Sequence, residues 1–238
     1  MEIKYRPEVD GLRTLAILSV LIYHAKFSIN TVELLPGGFF GVDVFFVISG
    51  FLITSLIMHE YQRTGKFSIS RFYERRARRL LPALLLVIFA SIPFAWAYLL
   101  PTQIIDYAAS IIASLFFGSN FYWLISLQQY GAESSLLKPF LHTWSLAIEE
   151  QYYIIYPLIL IAIYRWAKHH TIALLFAGLL LSLQFSELST LKDTSFSFYM
   201  LSSRFWELLS GGLLANILYF HPREENDDLL YRTMPTFG

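Results

Sequence analysis

Residues 80–100 read LLPALLLVIFASIPFAWAYLL, twenty-one positions without a charge. A helix of that length crosses the ~30 Å hydrocarbon core of a bilayer. In that medium every backbone N–H and C=O must be satisfied within the chain, which leaves helix bundles and closed barrels. A barrel strand is about half as long, so the run is a helix. The remaining sequence agrees. With 55% hydrophobic residues and a mean hydropathy of +0.50, the chain is an integral membrane protein rather than a soluble domain.

Apolar stretches place candidate membrane helices at roughly 12–30, 38–58, 80–100, 104–126, 144–164, 171–188 and 197–220. The expected fold is therefore all-α, a polytopic transmembrane bundle of about seven segments. The main polar connector, 59–79, carries Arg63, Lys66, Arg71, Arg75, Arg76, Arg78 and Arg79. The positive-inside rule makes it cytoplasmic, with a cytoplasmic N-terminus two crossings earlier. If every later segment crosses, RWAKHH at 165–170 lies outside, against the charge of Arg165 and Lys168. A re-entrant 104–126, interrupted by Asp106 and Gly118-Ser119-Asn120, removes the conflict. His24 and Lys26 break the first apolar run and no small-residue cleavage site follows, so it reads as an uncleaved helix. Residues 1–220 form one transmembrane domain and 221–238 a polar tail.

Several chemistries are excluded. There is no cysteine, hence no thiolate nucleophile or thiolate metal site. A formal net charge of zero offers no general attraction to nucleic acid. No metal-ligand spacing, phosphate-cradling glycine loop or nucleophile elbow is present. The titratable residues inside apolar stretches carry the functional signal. Arg13 and His24 are eleven helical steps apart, about 16 Å along one face. With Arg13 at the membrane boundary, His24 is expected near the midplane, where an ionisable group is costly and imidazole is suited to moving a proton. Arg76 and Arg79 share a helical face and match phosphate oxygens, as a nucleotide-bearing acyl donor requires; lipid phosphates are the plainer partner. Asp43 sits in the glycine- and aromatic-rich run 37–54. His142, Ser145, Glu149 and Tyr152 fall on one face, with Ser145 a candidate helix cap and Glu149 or Glu150 able to orient an imidazole. Arg204 and Glu207 are spaced for an intrahelical ion pair.

Taken together these segments resemble the integral-membrane acyltransferase family 3, of the O-antigen and peptidoglycan O-acetylase type. YRPEVDGLRTLAILSVLIYH, GGFFGVDVFFVISGFLIT, RRARRLLP, SNFYW with LHTWSLAIEEQYY, and RFWELLSGG stand in the family's order over about residues 5–215. The resemblance implies an enzyme that passes an acyl group, usually acetyl, from cytoplasmic acyl-CoA to a hydroxyl, often on a glycan at the far face. Arg13 and His24 match its arginine–histidine motif and Arg76 and Arg79 its paired-arginine motif. The resemblance ties Arg13 and His24 to catalysis and Arg76 and Arg79 to acyl-CoA; the residues themselves then make His24 the expected general base, Glu149, followed by Glu150 and His142, the groups expected to orient it, and Arg13 a further donor-binding residue. No metal is implied, and the location is the bacterial inner membrane. The subgroup resembled carries an extracytoplasmic SGNH-type domain, and the family's membrane domain has about ten helices. The last of these, and that domain, are expected to be missing or separate here. Two other readings stay open at this point. One is a transporter using His24, Asp43 and Glu149 as a proton path; the other is an inactive truncated acyltransferase.

Overall fold

The computed structural model describes residues 7–29, 32–128 and 138–220. Nine helices are present among them: α1 (Pro7–Ala25), α2 (Gly41–Thr64), α3 (Ile69–Tyr98), α4 (Pro101–Leu115), α5 (Ser119–Gln128), α6 (Thr143–Trp166), α7 (Thr171–Lys192), α8 (Thr194–Tyr199) and α9 (Leu201–Phe220). Two short strands, β1 (Ser28–Ile29) and β2 (Val32–Glu33), pair antiparallel between α1 and α2. The spans Gly38–Thr64, Ile69–Tyr98, Thr143–Trp166 and Lys168–Lys192 are long and apolar enough to cross a membrane. The protein is thus an all-α, multi-pass membrane bundle. The tail 221–238 lies outside the described residues.

Side-chain contacts fix the direction of each helix. α2 and α6 run parallel: Phe46 meets Trp144, Ser49 bonds Glu149, Thr54 bonds Tyr156 and Tyr61 stacks near Tyr164. α9 also follows α2, with Arg204 on Asp43 and Leu208 against Gly50. α1 opposes α2, since Gly38 faces Ser19 and Tyr23, Gly41 faces Ala16, and Arg13 lies over Phe45. α3 opposes α6 through Tyr73 to the Tyr153 carbonyl and Arg76 to Glu150. α7 opposes α9, Gly178 meeting Leu209 and Ser182 the Ser202 carbonyl. The start of α1, the α2–α3 and α6–α7 connectors and the end of α9 therefore gather at one end of the bundle. That end carries Arg63, Lys66, Arg71, Arg75, Arg78 and Arg79, together with Arg165 and Lys168.

The expected single segment 104–126 is two helices. α4 stops at Leu115, Phe117 adopts a left-handed backbone (φ 52°), and α5 begins at Ser119. α5 folds back on α4, the Tyr122 hydroxyl reaching the Asp106 carbonyl. Its last residue, Gln128, bonds Asp193 at the end of α7. The hairpin thus enters and leaves at the non-basic end, and RWAKHH shares the basic end with 59–79. The break falls at Phe117–Gly118 and not at Asp106, which stays helical. Exposed irregular backbone is avoided: the Phe117 carbonyl accepts from the side-chain amide of Gln151, and Ser119 Oγ bonds the Thr143 carbonyl.

Three further boundaries differ from the sequence expectation. The polar connector 59–79 shrinks to Gly65–Ser68, because arginine is a good helix former and Ser68 caps α3 by accepting from the Arg71 amide. Gly65 (φ 67°) supplies the left-handed closure of α2. The segment 197–220 is interrupted at Met200, between α8 and α9. Lastly, α1 occupies 7–25 and not 12–30, and Lys26 (φ 49°) closes it.

The core lies where α2, α6 and α9 meet, around Ile57, Ile148, Tyr152, Tyr156, Leu160 and Leu208. Small residues bring α2 and α9 together: a Cβ on Gly50 would lie 1.8 Å from the Leu208 carbonyl oxygen, and one on Gly211 1.8 Å from that of Val47. Some internal polar groups pair across helices, Thr54 with Tyr156 and Tyr164 with Asn216. Outward faces, notably of α3, are apolar, with Leu86, Phe89, Phe94 and Trp96 exposed.

Candidate active site

Between α1, α2 and the start of α6 lies a cavity of about 260 Å³. α1 lines it with Ile17, Val20 and Leu21, α2 with Val42 and Phe46, and α6 with Leu146, Ser145 and Glu149. All the α1 residues fall between Arg13 and His24, so these two flank the cavity along the helix. Arg13 stands at its basic-end side, 5.3 Å over the ring of Phe45, which also lines it.

His24 is in the last turn of α1 and exposed. Along α1 (Pro7–Ala25), Arg13 is about 5 Å from the middle of the helix and His24 about 12 Å. Lys26, with its left-handed backbone, follows the last helical residue and places the end of α1 short of the expected boundary at 30. His142, at the head of α6, is within electrostatic reach of His24. Protein packed around part of its ring pushes the His142 proton affinity below the usual imidazole value. A hydrogen bond to the Pro139 carbonyl opposes this, and His24 lowers it further.

The two adjacent glutamates have different surroundings. Glu149 is buried, borders the cavity and accepts a 2.6 Å hydrogen bond from Ser49 Oγ. Glu150 turns toward α3, where Arg76 Nε and Nη2 both donate to its Oε1 at 3.0 and 2.6 Å. The Arg76 guanidinium also lies 3.8 Å from the Tyr153 ring centroid. Arg76 is thus committed within the protein, whereas Arg79, three residues on, is exposed and makes no ion pair among the described residues. Ser145 does not cap α6. The helix begins at Thr143, and Ser145 Oγ donates to the His142 carbonyl from within the first turn.

Asp43, Arg204 and Glu207 form a separate cluster between α2 and α9. Arg204 Nη1 donates to Asp43 Oδ1 at 2.9 Å and to Glu207 Oε1 at 2.8 Å. Asp43 is on the α9 side of α2 and does not border the cavity. The sequence spacing of Arg204 and Glu207 suggests their pair; nothing in it points to Asp43 as the third member, 161 positions away. Ser49 and Tyr153, which hold Glu149 and Arg76, are likewise invisible to sequence reasoning.

Comparison with known proteins gives this site a context. The Acyltransferase domain family (Acyl_transf_3) matches residues 6–232, so the chain belongs to that family of acyltransferases. The O-acetyltransferase OatA of Staphylococcus aureus (strain NCTC 8325 / PS 47) is 38% identical over 221 residues, covering 90% of this chain and 35% of the relative. The peptidoglycan O-acetyltransferase OatA of Listeria monocytogenes serovar 1/2a (strain ATCC BAA-679 / EGD-e) is 35% identical over 222 residues, covering 92% and 35%. The chain spans about a third of the length of these curated relatives. No solved structure matches it.

Proposed function

We propose that this chain is the membrane core of an O-acyltransferase that moves an acyl group from coenzyme A to a hydroxyl of a cell-envelope glycan. The supporting observation is the cavity between α1, α2 and α6, bordered by one carboxylate and flanked by an arginine and a pair of imidazoles. Family membership supplies acyl transfer as the reaction class, and the relatives' names point to acetyl and to peptidoglycan.

The basic end is cytoplasmic in the inner membrane, as its arginines and lysines favour. Coenzyme A approaches there, and exposed Arg79 meets its phosphates as a fork of donors. Arg76, held by Glu150 and Tyr153, fixes the shape of that face. Arg13 draws the donor inward. The acceptor hydroxyl enters from the opposite end, where His24 and His142 stand. His24 takes the hydroxyl proton as its oxygen attacks the thioester carbonyl. The carbon–sulfur bond then breaks, and the thiolate leaves and recovers that proton. Glu149 orients the reacting groups from the cavity wall. No step requires a metal.

The transporter reading loses its continuity. Asp43 is held by Arg204 on the α9 side of α2, while Glu149 faces α1, so His24, Asp43 and Glu149 do not line one path.

The test is transfer of labelled acetyl from acetyl-coenzyme A to a peptidoglycan-derived glycan by the reconstituted protein. Replacing His24 by Ala is expected to lower the rate about 10²–10⁴-fold, the usual worth of a positioned base. Glu149→Gln lowers it less. Equal transfer by wild type and His24→Ala removes His24 from the chemistry.

A further inference from the structure

The lining of the cavity is more apolar, and its volume larger, than acetyl transfer needs. Ser145 and Glu149, both on α6, are its only polar or charged side chains among the described residues. The opposite walls, from α1 and α2, are hydrocarbon and aromatic. α1 and α2 touch along one side, where a Cβ on Gly41 would lie 2.4 Å from the Ala16 carbonyl oxygen, while Ile17 and Leu21 leave the cavity open at the outer face of α1. A space of about 260 Å³ is several times the ~30 Å³ that one water takes up in the liquid. An acetyl group has three heavy atoms.

We infer that this cavity is the subsite for the transferred acyl group and that it accepts chains from butyryl to octanoyl as well as acetyl. The inference rests on the acyl-transfer function proposed for the same site. The one-sided polarity selects the occupant. A carbonyl at one end of a hydrocarbon chain matches a cavity with two polar side chains on one wall and apolar groups on the others. A sugar or a phosphate would leave its polar groups unpaired against Val20, Val42 and Phe46. The carbonyl lies at the α6 wall beside Ser145 and Glu149, and the tail packs between α1 and α2. Val20 on α1 and Leu146 on α6 both border this space, so enlarging either shortens the room for the tail.

The experiment measures binding to the full chain in lipid nanodiscs, with protein-free discs subtracted. The probes are coenzyme A and non-hydrolysable ketone analogues of its acetyl, butyryl, hexanoyl and octanoyl thioesters. Affinity is expected to rise about three- to fourfold for each added methylene until the cavity is full, as for hydrocarbon leaving water. Val20→Phe and Leu146→Trp are each expected to lower the octanoyl-to-acetyl affinity ratio at least tenfold. Leu180→Phe, on the exposed face of α7, leaves that ratio unchanged. If neither coenzyme A nor any analogue binds, the donor reading fails and this inference with it. If coenzyme A and the acetyl analogue bind without a rise along the series, the acyl subsite lies elsewhere and the donor reading stands. The subsite is likewise elsewhere if both filled variants keep the wild-type ratio, or if octanoic acid competes as well as the octanoyl analogue.

Discussion

Arg76 shows how one side chain can be read in two ways. In the sequence it is half of a paired-arginine motif suited to phosphate. In the fold it donates twice to buried Glu150 and stacks on Tyr153. Removing the guanidinium strands a carboxylate in a setting with little water, at a cost of about 3–5 kcal/mol. Arg76→Ala is therefore expected to lower the thermal midpoint in detergent sharply. Adding Glu150→Ala to it should recover part of the loss, because the stranded charge goes with it. Arg79→Ala, at an exposed position, should change stability by no more than about 0.5 kcal/mol. A loss of activity in Arg76→Ala thus has to be corrected for folding before it is assigned to donor binding, whereas one in Arg79→Ala does not.

At the scale of elements, the α2–α9 contact positions the rest. Gly50 and Gly211 let the two backbones meet, with a Cβ on either falling 1.8 Å from a facing carbonyl oxygen. Neither backbone can yield without separating the helices. Gly211→Ala is expected to cost at least the ~1–3 kcal/mol typical of overpacking, read as a lower midpoint and an aggregated fraction in size-exclusion chromatography. Gly178→Ala is the contrasting case. Its Cβ would meet only the end of the Leu209 side chain at 3.3 Å, which a rotamer change relieves. Near-wild-type behaviour is expected there. A second device is the α4–α5 hairpin. Phe117 and Gly118 turn the chain back, and Ser114, Ser119 and Gln151 satisfy the polar groups of the turn and its flanks against α6.

For the whole molecule, the hairpin decides which loops share a side. The chain has no cysteine, so single cysteines report topology without background. With a membrane-impermeant maleimide, cysteines at Lys66 and Lys168 are expected to label from one face of the membrane. Those at Tyr98 and Leu191 should label from the other. Labelling of Lys168→Cys together with Tyr98→Cys would mean that 101–128 crosses the bilayer and that the helices do not run in the directions their contacts indicate.

Composition and uncharged length determined the class of fold, because a bilayer leaves a chain few ways to satisfy its backbone. The order of the motifs determined the family, and individual residues such as His24 and Glu149 stood out because ionisable groups are expensive in apolar segments. Tertiary structure alone decided what those residues touch. It placed Lys26 as the end of α1, which moved His24 from mid-helix to the rim. It gave Arg76 to Glu150, Asp43 to Arg204 and Ser49 to Glu149, pairs separated by 74 to 161 positions. Periodicity records which side of a helix is apolar. It holds no record of which distant helix will cover that side, and a cavity is formed by the space that several helices leave between them.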